Sequence, residues 1–216
     1  MHVLTTPAEL AAWLMSEPRG RIVGIVGPPG SGKSTVAEAV SAHLTIPHCV
    51  VPMDGFHYPQ DTLRTLGRRD RMGAPDTFDT ASLTKLLTLI RARHQPVACP
   101  AFDRTIEEPV PDTITVNPYH ELVIVEGNYL LLDTPEWAPV KQLLDRAVYV
   151  NIPTDIRINR LITRHIAFGK SPQAASEWVS RSDEANTAVI EPTRAEADCV
   201  YQPDGPPSPS SLPDTS

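Results

Sequence analysis

The sequence predicts an α/β fold, in which a parallel sheet carries helices on both faces. Four short apolar runs have the length and composition of buried strands, and they lie at residues 21–26, 49–53, 122–125 and 147–152. Segments with helical spacing of apolar residues lie between and after these runs, at residues 33–44, 80–93, 154–168 and 172–189. Strands that alternate with helices favour parallel pairing, and right-handed crossovers bring the carboxyl ends of the strands to one edge. We therefore expect the functional site along that edge.

A further helix is predicted near the beginning of the chain. Thr6 and Glu9 have the spacing of a capping box, and Pro7 stands at the first helical position. Apolar residues continue at helical spacing as far as Met15, and the Pro-Arg-Gly sequence at residues 18–20 then ends the helix. The segment is therefore expected to form a short amphipathic helix.

Composition and charge narrow the class of protein. The 216 residues are 41% hydrophobic, which is enough for one domain with a proper core. A net charge of −7 without a block of basic residues argues against a nucleic-acid partner, and no apolar stretch reaches the length of a membrane span. Cys49, Cys99 and Cys199 form no C-x-x-C pair, which fits a reducing compartment. We expect a cytoplasmic protein with no membrane or nucleic-acid partner, and a possible homodimer is left open.

The domain boundary is predicted close to residue 203. Residues 204–216 are rich in proline and serine and contain almost no apolar side chains. Such a segment cannot bury enough apolar surface to offset the entropy of ordering it. We therefore assign residues 1–203 to one domain and predict a disordered tail at residues 204–216.

The segment after the first apolar run matches a phosphate-binding motif at every defined position. Gly27-Pro28-Pro29-Gly30-Ser31-Gly32-Lys33-Ser34 fits G-x-x-x-x-G-K-[ST], between a predicted strand and a predicted helix. Glycines let backbone N–H groups point at phosphate oxygens, and the helix N-terminus adds positive potential. In this motif the lysine, here Lys33, reaches the β- and γ-phosphates, and the serine hydroxyl, here Ser34, binds Mg²⁺. Thr35 is expected to pack beside the loop or to cap the helix, and its presence excludes the dinucleotide motif G-x-G-x-x-G/A.

A carboxylate follows the second apolar run, where Asp54 stands in Met-Asp-Gly-Phe-His-Tyr-Pro. The carboxyl end of a parallel strand faces the phosphate edge. Asp54 could there accept a proton from a substrate hydroxyl that attacks the γ-phosphate. It could also help to hold Mg²⁺, and an exposed loop carboxylate is the structural alternative.

Four blocks of the sequence carry a family resemblance when they are taken together and in order. They are Gly27 to Ser34, Met53-Asp54-Gly55-Phe56, Pro100-Ala101-Phe102-Asp103-Arg104 and Val123-Ile124-Val125-Glu126-Gly127-Asn128-Tyr129. They resemble the uridine kinase, pantothenate kinase and phosphoribulokinase group. Gly73-Ala74-Pro75-Asp76-Thr77-Phe78-Asp79 resembles a signature of a bacterial nucleoside/nucleotide kinase-like subgroup, some of whose members are named fructose transport system kinases. The resemblance covers residues 21–201.

The resemblance implies a P-loop NTPase fold, ATP and Mg²⁺ as cofactors, and phosphate transfer to a small-molecule substrate. Asp54 matches the catalytic base of the group, and Glu126 matches the Walker B carboxylate that orients Mg²⁺ through water. Residues around 155–175 resemble a small helical lid, in which Arg164 matches the arginine that stabilises the transition state. Arg157, Arg160 and Arg164 share one predicted helical face, and a solvated basic face is the alternative interpretation.

The acceptor site is less clearly marked in the sequence. Asp103 matches an aspartate that holds sugar hydroxyls in uridine kinases, while Arg104 replaces a histidine of pantothenate kinases and could clamp an anion. A structural Asp–Arg pair is the alternative for both residues. His57 could line the pocket, and Asn186 could bond a ligand or be a helix-surface amide. The basic stretch at residues 68–71 is interpreted as a solvated turn rather than a site.

The function expected from the resemblance is ATP-dependent phosphorylation of a hydroxyl on a small metabolite, a nucleoside or a sugar. The alternatives are a pantothenate kinase-like enzyme, a non-catalytic nucleotide-binding regulator, and an ATPase coupled to a partner. A base at Asp54 and an acceptor pocket around Asp103 would distinguish the kinases from the regulator.

Overall fold

The structure is a computed structural model that describes residues 2–16 and 21–203, with Arg21 described by its backbone alone. The predicted helix end at residues 18–20 and the predicted tail at residues 204–216 lie outside the described residues. None of the helices in the two described ranges combines the length and the apolar character that a membrane span requires.

Six strands form one parallel sheet, as the alternation of elements predicts. The strands of the described residues are β1 (His2–Leu4), β2 (Arg21–Val26), β3 (His48–Pro52), β4 (Val97–Asp103), β5 (Glu108–Val116), β6 (Leu122–Gly127), β7 (Arg146–Val150) and β8 (Cys199–Tyr201). The sheet has the order β1-β8-β7-β2-β6-β3, and every pair in it is parallel. The four predicted strands are therefore confirmed, with boundaries that differ by at most two residues.

Helices cover both faces of this sheet. They are α1 (Pro7–Met15), α2 (Lys33–Ser41), α3 (Gln60–Thr65), α4 (Thr80–Ala92), α5 (Ala138–Gln142), α6 (Thr154–Ala167), α7 (Pro172–Trp178) and α8 (Glu184–Ile190). In β6, Leu122 and Ile124 pack in a core with α1 and α2, whereas Val123 and Val125 pack in a second core with α4. Because side chains alternate along a strand, one apolar run serves both cores. The predicted capping box of α1 is also present.

The helical character predicted for residues 172–189 is confirmed, but the segment is not one uninterrupted α-helix. The chain forms α7, then a π turn at Val179–Asp183, and then α8. Val179 and Asp183 are both buried, at a spacing of four that an uninterrupted α-helix would also give. Apolar periodicity therefore could not reveal the turn.

The strands β4 and β5 form a separate antiparallel hairpin that the apolar pattern did not predict. Pro100 lies at a register shift in β4, and Pro109 and Pro111 lie within β5. Proline cannot donate a ladder hydrogen bond, so it is tolerated only in edge strands and at bulges. Both strands of an isolated hairpin are edges, which explains why prolines that argue against a strand are compatible with these two.

A short helical turn at Met53–Phe56 follows β3 and packs against this hairpin. Gly55 lies directly against the backbone of β4, where a Cβ atom at position 55 would be 2.4 Å from the carbonyl oxygen of Pro100. No side chain fits at this position unless the strand moves. The turn and the hairpin are thus held together, and Asp54 and Arg104 reach the same edge of the sheet.

We expect Gly55→Ala to destabilise the protein, because the new methyl group meets a backbone atom rather than a flexible side chain. Overpacking of this kind costs about 1–3 kcal/mol. The control is Gly67→Ala, where a Cβ meets no atom within 4 Å and only the left-handed backbone is strained. Denaturant unfolding should show a larger loss for Gly55→Ala than for Gly67→Ala, and an equal or smaller loss would contradict the close contact.

Candidate functional site

The predicted phosphate loop lies between β2 and α2. Its conformation leaves several backbone N–H groups free to bind a ligand. Gly30 and Gly32 have φ of 78° and 86°, the left-handed region that favours glycine. Ser31 N–H donates to Pro28 O, but the amides of Gly30, Gly32 and Lys33 donate no hydrogen bond within the described residues. The Ser31 hydroxyl is buried without a partner there. Free amides at a helix N-terminus fit the oxygens of a phosphate group.

The helix α6 packs directly on this loop, and Gly30 permits the contact. A Cβ atom at position 30 would be 2.7 Å from Leu161 Cγ and 2.8 Å from Arg157 O. The Arg157 side chain is buried and forms an ion pair of 2.7 Å with Glu184 on α8. Arg157 therefore joins the loop, α6 and α8, and is not available as a free cation.

Two other arginines of α6 remain beside the loop. The Arg160 guanidinium lies next to Gly32, with Nη1 3.3 Å from the position that a Cβ atom would take there. The Arg164 side chain forms no hydrogen bond or ion pair within the described residues. Burial lowers the pKa of Arg164, the neighbouring charge of Arg104 lowers it further, and Asp183 and Asp54 oppose this shift. On the predicted basic face of α6, Arg157 is thus a structural residue, whereas the side chains of Arg160 and Arg164 form no ion pair within the described residues.

The Lys33 amine is held within the loop. Its Nζ donates to Pro28 O over 3.1 Å. Desolvation lowers its pKa to about 8, although the carboxylates of Glu126 and Asp54 favour the charged form. With this pKa the amine is still mostly charged at pH 7, and an anion that came close would raise the pKa again and favour the charged form further.

A hydroxyl and a carboxylate meet next to Lys33. Ser34 Oγ donates to Glu126 Oε1 over 3.0 Å, from the first turn of α2 to the carboxyl end of β6. Glu126 is only 8% exposed, and desolvation followed by the charge of Asp54 raises its pKa. A hydroxyl beside a buried carboxylate is a donor set that fits Mg²⁺ when phosphates and water supply the other ligands. The described residues contain no cluster of three or more histidine, cysteine, aspartate and glutamate side chains that could bind a metal by itself.

Asp54 lies in the turn after β3 and forms an ion pair with Arg104. Arg104 Nη2 donates to Asp54 Oδ2 over 2.8 Å. Burial alone would raise the pKa of Asp54, but nearby positive charges outweigh it and lower the pKa; His57 and Arg104 contribute most, followed by Lys33 and Arg164. Burial lowers the pKa of His57, so its imidazole is neutral near pH 7. Arg104 is therefore the main positively charged partner of Asp54 at that pH. Asp54 is therefore ionised over the physiological range.

His57 is a largely buried residue that also contributes to the wall of a pocket beside Gly55 and Pro100. It is 8% exposed, and its ring lies 3.9 Å from that of Phe78 and 4.9 Å from that of Phe102, between centroids. Its Nδ1–H donates to the backbone oxygen of Asp54 over 2.8 Å. The structure therefore gives His57 a part in fixing the turn that carries Asp54.

Asp103 and Arg104 point to different partners, so the Asp–Arg pair weighed from sequence is not formed between them. Asp103 Oδ1 accepts a hydrogen bond of 2.8 Å from the amide of Thr105, which shapes the hairpin turn. Asp103 is half-buried, and its other oxygen has no partner within the described residues. One oxygen of Asp103 is thus open to a hydroxyl.

The segment Gly73–Asp79 forms one side of the site. The sequence alone could not show which residues hold this segment in place. The backbone oxygen of Gly73 accepts hydrogen bonds from Tyr129 Oη (2.5 Å) and Asn186 Nδ2 (3.4 Å). Asn186, weighed as a ligand contact or a surface amide, is buried and holds this loop. Both the segment and Asn186 were recognisable as motif positions, but only the fold shows that they bond each other.

The basic stretch before this segment is engaged in ion pairs. Arg68 and Arg71 both pair with Asp76, and Arg69 pairs with Glu107 over 2.6 Å. These arginines brace the Gly73–Asp79 segment and the hairpin turn. The stretch is therefore an ion-paired turn rather than a freely solvated one, and the statement that it is not a binding site stays a prediction.

The remaining predicted nucleotide contacts lie where the motif requires them. Gly27 follows β2 directly, and the backbone oxygens of Pro28 and Pro29 accept hydrogen bonds from Lys33 and Arg157. Thr35 is exposed in the first turn of α2, which has no side-chain cap. The capping role weighed for Thr35 is therefore not observed.

Comparisons with known proteins agree with this geometry. Residues 22–205 match the model of the phosphoribulokinase/uridine kinase family. A proposed uridine kinase of Schizosaccharomyces pombe is 32% identical over 89% of this chain and 87% of its own length. The uridine kinase of Latilactobacillus sakei is 30% identical over 85% of both chains. The crystal structure of a proposed fructose transport system kinase from Silicibacter sp. TM1040 has a TM-score of 0.82 and 33% identity, over 92% of this chain and all of that one.

The parallel sheet, the phosphate loop and the matched family model together confirm the resemblance and the P-loop NTPase fold expected from the sequence. The chain belongs to the phosphoribulokinase/uridine kinase family.

Proposed function

We propose that the protein is an ATP-dependent kinase that transfers the γ-phosphate to a hydroxyl of a small metabolite. One observation carries the proposal: Ser34, the neighbour of Lys33 in the chain, donates to Glu126 over 3.0 Å, and Glu126 stands level with Pro52, two residues before Asp54. This geometry supports a phosphate-binding cation, a base and a metal carboxylate at one edge of the sheet. Membership of a kinase family supports the same reaction.

Each of these residues has a chemical task in the proposed reaction. The loop amides and Lys33 hold the triphosphate, and Ser34 and Glu126 would hold Mg²⁺, which neutralises phosphate charge when it is bound. Asp54 Oδ1 accepts no hydrogen bond within the described residues, so it is the oxygen that orients the acceptor hydroxyl and takes its proton. Arg164 stabilises negative charge on the transferring phosphoryl group.

A small lid around residues 155–175 belongs to the same proposal. It comprises most of α6, a glycine with φ of 93° at Gly169, and the beginning of α7. A change of backbone angles at Gly169 would let α7 move relative to α6 and close the site to water. Excluding water would limit wasteful hydrolysis of ATP.

The acceptor is proposed to be a nucleoside or a sugar, following relatives named uridine kinase and fructose transport system kinase. A pantothenate kinase-like enzyme is the main alternative acceptor class. A regulatory nucleotide-binding protein or a coupled ATPase is less consistent with the site, since neither requires a carboxylate with an open oxygen at Asp54. A cytoplasmic location and a homodimer stay predictions from the sequence.

Lys33→Ala should reduce phosphate transfer about 100-fold or more, because the variant lacks the charge that stabilises the transition state. Turnover of Mg·ATP, measured by product formation with an acceptor-containing metabolite extract, checks this. Lys85→Ala, which removes an exposed lysine from α4, is the control and should behave like the unmodified protein. A folded Lys33→Ala protein with unchanged turnover would refute the assignment of the loop.

Asp54→Asn should abolish transfer while ATP binding is largely retained, since asparagine keeps the shape of the side chain but cannot take the proton. Calorimetric titration with ATP, run beside the turnover assay, separates the two effects. Asp70→Asn, at an exposed carboxylate without a hydrogen bond in the described residues, is the matched control. Near-normal transfer by Asp54→Asn would show that Asp54 is a loop carboxylate and not the catalytic base.

The affinity for ATP should fall as pH rises above about 8, the pKa of Lys33 in the free protein. Below that pH the amine is already charged; above it, binding must take up a proton, because the phosphates raise the pKa of the lysine. The dissociation constant should rise by up to about tenfold per pH unit until the pKa of the bound state is reached. Titration in two buffers of different ionisation enthalpy measures the proton uptake, and an affinity that is flat across this range would contradict the assigned pKa.

A further inference from the structure

The ion pair between Asp54 and Arg104 has a consequence for the acceptor. Arg104 lies in the turn between β4 and β5, and 45% of its side chain is exposed. A guanidinium carries five N–H donors, and within the described residues only Nη2 is engaged, by Asp54 Oδ2. The other donors are free to bind a further anionic oxygen next to the proposed base.

The cations of the site come from three elements and have different partners available. Lys33 belongs to the phosphate loop and Arg164 to α6, so both can be neutralised by the triphosphate. Arg104 belongs to the hairpin turn, outside the phosphate loop and α6, and its partner is the proposed base, Asp54. Its charge also lowers the pKa of both Lys33 and Arg164, so the three cations repel one another. A second anion beside Arg104 would relieve that repulsion.

A neutral acceptor would leave the Asp54–Arg104 pair unchanged. Its hydroxyl would meet a carboxylate whose proton affinity is reduced by the arginine, and a weaker base is a poorer acceptor of the hydroxyl proton. An acceptor with its own carboxylate or phosphate group would share or take over the guanidinium. Arg104 would then bind the substrate, and it would reduce the proton affinity of Asp54 less.

We infer that the acceptor carries an anionic oxygen group, a carboxylate or a phosphate, close to the hydroxyl that is phosphorylated, and that Arg104 binds this group. The inference rests on the proposed kinase function. Within the proposed acceptor classes it favours derivatives that carry a phosphate or a carboxylate over neutral nucleosides and free sugars. Because Arg104 Nη2 and Asp54 Oδ2 are 2.8 Å apart, the anion and the hydroxyl are near neighbours in the acceptor. Arg104 therefore determines specificity, while Asp54 serves the proton transfer.

The first experiment uses a small-molecule extract that is separated by anion exchange into a neutral and an anionic fraction. Each fraction is incubated with the full-length protein and Mg·ATP labelled in the γ-phosphate, and labelled small molecules other than inorganic phosphate are measured. Acceptor activity should lie in the anionic fraction. Treatment of that fraction with a phosphatase removes acceptors that carry a phosphate and leaves those that carry a carboxylate, which distinguishes the two sources.

The second experiment compares matched acceptors and Arg104 variants. Glycerate and glycerol 3-phosphate are tested against glycerol, and the anionic acceptor purified from the extract is tested with Arg104→Gln and Arg104→Lys. Arg104→Gln should raise the KM for the anionic acceptor by about 10- to 100-fold and leave the KM for ATP unchanged, and Arg104→Lys should lose less. The control is Arg91→Gln, which breaks a similarly exposed pair with Asp145 at the opposite edge of the sheet and should leave both KM values unchanged.

The outcomes separate the inference from the function on which it rests. Labelled product in the neutral fraction alone would overturn the inference and leave the kinase function standing. A fall in kcat for every acceptor with unchanged KM would also overturn it, since Arg104 would then only position Asp54. An absence of labelled product from both fractions would count against the kinase function itself.

Discussion

The site depends on the parallel register of three neighbouring strands. β6 pairs with β2 on one side and with β3 on the other, and Glu126 stands level with Ile25 and Pro52. The residues that follow β2 and β3 are the phosphate loop and the turn of Asp54, so three carboxyl ends bring their side chains together. A shift of one residue in either pair would turn the strand over and bury the wrong face. The two apolar cores therefore fix the register, and the register fixes the site.

Close backbone contacts then set the position of the other parts. Gly30 lets α6 touch the phosphate loop, and Gly55 lets the turn of Asp54 touch β4. Through these contacts Arg104 of the hairpin forms an ion pair with Asp54, and Arg164 of α6 is near enough for its charge to lower the pKa of the same carboxylate. The positively charged side chains around Asp54 are thus brought together by packing between elements that are distant in sequence.

The sequence predicted those parts that depend on local pattern. The strands of the sheet, the phosphate loop and the carboxylates at strand ends follow from apolar runs and short motifs, and they occur as expected. The hairpin was missed because Pro100, Pro109 and Pro111 argue against a strand unless it is known to be an edge. Which partner a side chain takes was also beyond prediction. Arg104 pairs with Asp54, 50 residues away, rather than with its neighbour Asp103, and such pairings depend on tertiary contacts that no local pattern encodes.

The central claim is that the site moves phosphate from ATP to a hydroxyl of another small molecule. Phosphorus NMR of the protein with Mg·ATP and a metabolite extract tests it most directly, because the fate of the γ-phosphate can be followed while the acceptor is still unidentified. The account predicts a new phosphate monoester signal that grows as ATP is converted to ADP. Conversion of ATP to ADP with inorganic phosphate as the sole product, or no conversion at all, would contradict it.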